Sequence, residues 1–245
     1  MKIFGIRTHV RDNLGLFFSS NFLYRAIFGK NRTILFHRGI TRKIIKHYNG
    51  DDGQNVDFEY GGLGYGLIHY ALIINTKPDN ILCIGSRKGF IPALCSLACQ
   101  ENEKGTVHFV DAGYDSSNKE KYWSGIGWWK KIDSNKHFSF LDINKHLKTY
   151  VMTSQEYAKK YKTKYLYVYI DGDHSYNGAK ADYELFWPRL KKGGFMIFHD
   201  IVVKNQPKQP PFGVWKLWNE IIKNNKNTVS ITKPIYSGLG IIQKI

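Results

Sequence analysis

Five short apolar runs recur along this 245-residue chain, separated by stretches with helical spacing, and each run gives way at once to glycine, acid, hydroxyl or imidazole. The runs are Asn80 to Gly85 (NILCIG), Thr106 to Val110, Thr149 to Met152, Tyr165 to Ile170 (YLYVYI) and Phe195 to Phe198. A strand that is apolar on both faces is buried on both faces, which parallel strands joined by crossover helices achieve. Between the runs, LGYGLIHYALIIN (Leu63 to Asn75) suits a helix that Lys77-Pro78-Asp79 breaks. Phe90 to Cys99 suits a second helix with Pro92 in its first turn, where a missing N–H costs little. Ala179 to Leu190 reads as a third, Lys191 to Gly194 as a turn, and SGLGII near the C-terminus as a final edge strand. The pattern predicts an α/β fold, a mostly parallel sheet with helices on both faces.

In an open parallel sheet, ligands bind beyond the carboxyl ends of the strands. The residues after each run therefore form one candidate site. They are Gly85-Ser86-Arg87-Lys88-Gly89, Asp111-Ala112-Gly113, Thr153-Ser154-Gln155-Glu156, Asp171-Gly172-Asp173-His174 and His199-Asp200. Gly85 and Gly89 would let backbone approach a ligand closely. Asp111, at the end of the second strand, is placed to accept hydrogen bonds from ribose hydroxyls. GSRKG is not GxGxxG, which weighs against a dinucleotide.

ILCIGSRKGF followed by VHFVDAG resembles the glycine-rich first motif and acidic second motif of class I S-adenosylmethionine-dependent methyltransferases. YVMTSQEY resembles the segment that borders the adenine in that Rossmann-like fold. YIDGDHSYNGAKADYELFWPRLKKGGFMIFHD is similar to the fourth and fifth motifs of catechol-type and sugar or macrolide O-methyltransferases. The resemblance runs from about Gly61 to the C-terminus. It implies S-adenosyl-L-methionine held by Gly85, Ser86, Gly89, Asp111, Ala112, Ser154, Gln155 and Asp171. It also implies a divalent cation, Mg²⁺ or Mn²⁺, on Asp171, His199 and Asp200. Imidazole at His199 departs from the family's usual carboxylate and favours Mn²⁺ over Mg²⁺.

Methyl transfer needs an aligned, deprotonated acceptor, so catalysis is expected at Asp171, Asp173 and His174. His174 has the pKa advantage near neutrality, and its alternative role is to bond loop backbone. Trp123, Trp128 and Trp129 suit stacking on a sugar or packing of an added helix equally well. The Pro-rich stretch PKQPPFGVWKLW borders the cleft and then turns helical.

Residues 1–60 read as a basic helical N-terminal extension to a domain at 61–245. Arg7, Arg11, Arg25, Lys30, Arg32, Arg38, Arg42, Lys43 and Lys46 stand there among Phe17, Phe18, Phe22 and Tyr24. A packed cap, a substrate lid and a peripheral membrane-surface patch are the alternatives. The net charge of +16 attracts phosphates, acidic glycans, anionic lipid and nucleic acid alike. RNA methylation and a non-catalytic binding role are therefore kept beside the favoured acceptor, a hydroxylated small molecule or glycan. No RNA-binding signature accompanies the charge. Cys83, Cys95 and Cys99 read as buried thiols of a protein in the reducing cytoplasm, and no signal peptide or membrane span is expected.

Overall fold

A computed structural model describes residues 38–48, 52–54, 56, 62–115, 127–205, 211–232 and 237–245. The basic residues before Arg38, the aromatic group from Phe17 to Tyr24, Trp123 and positions 206–210 of the Pro-rich stretch lie outside the described residues. Helices α1 (Arg38–Tyr48) and α2 (Gly66–Thr76) precede strand β1 (Asn80–Ile84). There follow α3 (Phe90–Glu101), β2 (Thr106–Asp111), α4 (Ser134–Phe138), β3 (Leu147–Val151), α5 (Ser154–Lys160) and β4 (Tyr165–Ile170). The chain continues through α6 (Tyr176–Phe186), β5 (Leu190–His199), α7 (Val214–Asn224), β6 (Thr228–Ile231) and β7 (Leu239–Gln243).

The seven strands lie in the order β3-β2-β1-β4-β5-β7-β6. β3, β2, β1, β4 and β5 are parallel, and β7 runs antiparallel to both β5 and β6. Chain direction around the sheet reverses between β1 and β4, so their carboxyl ends open the crevice in which such sheets bind ligands.

Two apolar layers hold this sheet. On one face Ile81, Cys83, Tyr167 and Tyr169 pack against α1, α2, α3 and residues from 129–143. On the other, Leu82, Ile84, Val168 and Ile170 meet α5, α6 and α7. The period-two alternation in β1 and β4 splits neighbouring residues between the layers. Helix α3 is buried from Phe90 to Cys99, so its apolar character runs all round. Gly66 lets α2 close on it, because a Cβ there would stand 2.9 Å from the Phe90 ring. The three thiols are free and buried.

The sequence reading is corrected in four places. The helix after β4 starts earlier, at Tyr176 on the Ser175 cap, and gives way to a 3-10 turn at Trp187–Arg189. Lys191 to Gly194 lies within β5 rather than before it. Tyr165 pairs with Leu190 and Tyr167 with Phe195, so the intervening residues bulge out of register. The C-terminal segment clamps that bulge through Gly193 N–H to Lys244 O and Lys244 N–H to Gly194 O. SGLGII forms β7, an internal strand; the edge is β6, whose polar, half-exposed TVSI carries little apolar signal.

Helix α1 lies before the expected division at residue 60, yet Ile44, Ile45 and Tyr48 are buried in the same layer as α2 and α3. Among the described residues this part of the extension packs as a cap. Ile44→Ala is expected to lower unfolding stability by about 2–4 kcal/mol, measured by urea titration. An unchanged midpoint would show that α1 contributes nothing to the core.

Candidate active site

The turn after β1 is built by the protein around itself. Gly85 has φ +69°, and a Cβ there would lie 2.1 Å from the Asp171 carbonyl oxygen. Gly85 N–H donates to Val110 O and Asp171 N–H to Ile84 O, which ties the ends of β1, β2 and β4 together. Gly89, with φ +85°, starts α3 where a Cβ would strike the Phe138 and Trp129 rings. These two glycines were expected to clear space for a ligand; in the structure the atoms they clear are the protein's own. Buried Ser86 accepts from Ile91 N–H at 3.4 Å. Trp129 Nε1–H and His137 Nε2–H donate to the carbonyls of Arg87 and Lys88, at 2.9 and 3.0 Å. The insertion between β2 and β3 thus props the turn from outside, and Trp129 takes its packing role.

At the end of β2, Asp111 accepts from Gly113 N–H at 2.7 Å through Oδ1. Burial raises its pKa, the bond to Gly113 opposes this, and nearby Asp171 adds to the rise. Ala112 sits half-buried between them.

Four side chains converge at the ends of β4 and β5. His199 Nδ1 lies 3.1 Å from Asp171 Oδ1 and 3.3 Å from Asp200 Oδ1. His174 Nε2 lies 3.3 Å from Asp171 Oδ1 and 3.5 Å from Asp200 Oδ2. Burial works against charge on Asp171, but the two imidazoles win and hold it well below the usual carboxylate range. Burial likewise opposes charge on both histidines, yet the carboxylates raise His174 and drive His199 well above its ordinary value. The result is two carboxylates that share two imidazoles and raise the proton affinity of both. Asp200 holds a left-handed backbone, φ +61°, a strained conformation of the kind that clusters at functional sites.

The cluster is anchored from residues that no strand-end reading could reach. Tyr169 O–H donates to Asp171 Oδ2 at 2.8 Å, and Gln54 Nε2–H donates to Tyr169 Oη at 2.8 Å. Gly53 O accepts from His199 Nε2–H at 2.7 Å and from Ser237 Oγ–H at 2.8 Å. His69, fully buried behind them, bonds Tyr167 Oη and lies edge-on to Tyr169; burial lowers its pKa to about 3, so it stays neutral. Tyr169 went unnamed in the sequence reading, although its place two residues before Asp171 on one strand face was a local signal. Gln54 left no such signal, being 117 residues away from Asp171 in sequence.

Residues 82–201 match the family described as "methyltransferase domain". That stretch, just under half of the chain, is similar to a methyltransferase domain, and the fold is that of class I methyltransferases. The chain's fold is similar to that of the O-methyltransferase TomG of Streptomyces achromogenes, involved in tomaymycin synthesis and solved with SAM: TM-score 0.56, 12% identity, 85% of this chain and 89% of that one. It is also similar to an O-methyltransferase of Bacillus cereus solved with SAH, at TM-score 0.56 and 14% identity over 86% and 94%. The SAH-bound methyltransferase PaMTH1 of Podospora anserina matches at TM-score 0.54 and 11% identity over 82% and 88%. An uncharacterized protein of Sinorhizobium fredii, y4gI, is 33% identical over 75 residues, 31% of this chain; the match spans 8% of that relative's length.

Within the matched stretch, the expected site residues separate into groups. Asp171, His174, His199 and Asp200 come together. Asp173 does not join them: its Oδ1 accepts from Ser175 N–H at 2.8 Å, and its carboxyl lies where a Cβ on Gly178 would stand, against the first turn of α6. Among the described residues, the ligand atoms of Asp171, His174 and Asp200 lie within 4.8 Å of one another. His174, expected as a base, stands among potential ligands; His199, expected as a ligand, bonds Gly53 through Nε2 and turns Nδ1 toward both carboxylates. Gln155 is exposed, and Ser154 is buried with its hydroxyl on Asp182 Oδ1 at 2.5 Å, tying α5 to α6.

Burial pushes the Asp182 carboxyl up to about 7, against the lowering effect of the Ser154 bond. The folded state therefore binds the proton more tightly than the unfolded chain, whose carboxyl titrates near ~3.9. Its stabilising contribution is present below about pH 4 and is lost as pH rises through about 7, by up to ~4 kcal/mol at ~1.4 kcal/mol per unit. Asp182→Asn is expected to remove that slope. Thermal melts from pH 4 to 8 should show wild type losing stability relative to the variant, and parallel curves would refute it.

Proposed function

We propose that this protein transfers a methyl group from S-adenosylmethionine to a hydroxyl of a small-molecule or glycan acceptor, at the Asp171–His174–His199–Asp200 cluster. The observation that carries the reading is the convergence of the Gly85 turn, Asp111 and this cluster on one edge of the sheet, at the reversal point between β1 and β4. The cofactor, when bound, supplies an electrophilic methyl on a sulfonium. Asp111 has Oδ1 engaged by Gly113, which leaves Oδ2 for a ribose hydroxyl. Asp171, fixed by Gly85, Tyr169 and both imidazoles, marks the reacting end. An acceptor hydroxyl gives its proton to the His174 imidazole in its neutral form as the oxygen–carbon bond forms and the carbon–sulfur bond breaks, releasing S-adenosylhomocysteine. The fixed dipoles and charges there need little rearrangement during the step.

The donor set fits a divalent cation. Asp171, His174 and Asp200 offer carboxylate oxygen and imidazole nitrogen together, a mixture that suits Mn²⁺ or Fe²⁺ better than Mg²⁺. Such a cation, when bound, would lower the pKa of the acceptor hydroxyl. His199 matches the usual support for such a site, one ring N–H on a backbone carbonyl and the other nitrogen toward the ligands.

Two experiments test this reading. Asp111→Ala is expected to weaken S-adenosylmethionine binding by about 1.5–3 kcal/mol in calorimetry, the scale of hydrogen bonds to a charged group. Equal affinity in a folded variant would remove Asp111 from the site. Asp171→Asn and Asp200→Asn should each abolish S-adenosylhomocysteine release, and EDTA should inhibit wild type until Mn²⁺ is restored. Full turnover in chelator would leave the imidazole–carboxylate pairs as a metal-free proton acceptor. RNA in place of small acceptors would be the outcome that the net charge alone favours.

A further inference from the structure

A groove of about 630 Å³ opens between the first turns of α6 and α7. Its size is that of a site for a small organic ligand. Asp173, Tyr176, Asn177, Phe212, Lys216 and Glu220 contribute to its walls. It shares a wall with the reacting cluster. Phe212 stacks on the His174 ring with centroids 5.0 Å apart, and Gly213 N–H donates to His174 O at 2.8 Å. The two helix starts are in backbone contact, since a Cβ on Gly213 would stand 2.1 Å from Tyr176 N. The groove is therefore fixed relative to His174 and does not depend on long side chains for its position.

We infer that this groove binds the methyl acceptor, and that the acceptor is an uncharged, polyhydroxylated compound of the neutral saccharide class; the inference rests on the methyl-transfer reading above. The lining chemistry decides the class. Two carboxylates, Asp173 and Glu220, only accept hydrogen bonds when ionised, so the ligand must bring donors. Tyr176 O–H already holds Glu220, 3.0 and 3.1 Å from its two oxygens, which orients that carboxylate along the wall. Asn177 adds a group that both donates and accepts, and Lys216 a donor. Vicinal hydroxyls satisfy such a set because each both gives and takes a hydrogen bond. A phosphate or carboxylate brings only acceptors and meets two like charges against one ammonium, which disfavours it.

This runs against the chain's overall charge of +16. Exposed Lys162, Lys164, Lys191 and Lys192 sit at the amino ends of β4 and β5, at the other end of the strands from the cluster. Among the described residues, these four lysines thus stand away from the groove. Asp173 becomes a recognition residue for the acceptor, which accounts for its separation from the carboxylate–imidazole cluster.

The test uses the full chain and a library of neutral mono- and oligosaccharides, each matched by a uronic acid or phosphorylated counterpart, with RNA as a further member. S-adenosylhomocysteine release is expected from neutral members, with kcat/KM at least ~10-fold lower for the charged counterparts. Glu220→Lys, at an exposed position, and Asp173→Asn, which keeps an acceptor for Ser175 N–H, should raise KM for the neutral acceptor about 10-fold and narrow the gap. Cofactor affinity and melting temperature should stay at wild-type values. Saturation-transfer NMR of the same saccharides without cofactor reads the groove independently of turnover. Saccharide binding that is lost in Glu220→Lys upholds the groove even where the methyl-transfer reading fails. Preference for the anionic members or RNA overturns the inference, as does an unchanged KM and preference in both variants.

Discussion

The site depends on charge compensation around one largely buried carboxylate. Asp171 sits at the carboxyl end of a central strand with 11% of its side chain exposed, between two imidazoles. An isolated carboxylate there would be expelled or protonated. Two histidines and a tyrosine hydroxyl favour its ionised form, and Asp200 in turn raises the proton affinity of both histidines. Removing one partner of such a set leaves its neighbours buried and unpaired, so the four residues act as a unit.

The fold supplies the rigidity this balance needs. Gly85 brings the β1 turn into backbone contact with Asp171, and the β1–β4 pairing fixes the strand end from which Asp171 projects. β7, inserted antiparallel beside β5, places Ser237 where it shares the Gly53 carbonyl with His199. The turn at residues 52–54 then closes over the cluster, joined to it by Gln54 and Gly53. A segment outside the family-matched region thereby completes the geometry of a site whose ionisable groups all lie inside it.

The parallel strands were legible because burial on both faces forces continuous apolar runs, and the ends of β1, β2 and β4 fell within a residue of their expected positions. β6 was illegible for the opposite reason: an edge strand with two exposed residues of four has no need of an apolar run. The bulge in β5 looked like a turn because Gly193 and Gly194 are turn residues wherever they stand. Among site residues, those that follow a strand were found together; their individual roles were not. Asp173 and His174 are neighbours in sequence, yet one turns into the cap of α6 and the other into the charged cluster.

The sequence by itself determined the run of parallel strands, the positions of the strand ends and the identity of the ionisable groups there, since these follow from local periodicity and from residues next to it. Tertiary structure alone decided which groups meet. Whether Gly85 faces a ligand or the Asp171 backbone, whether Ser154 meets a ligand or Asp182, and whether His199 is held by Gly53 all depend on contacts between segments distant in the chain. Such contacts leave no period in the sequence, because their geometry is set by how the layers pack.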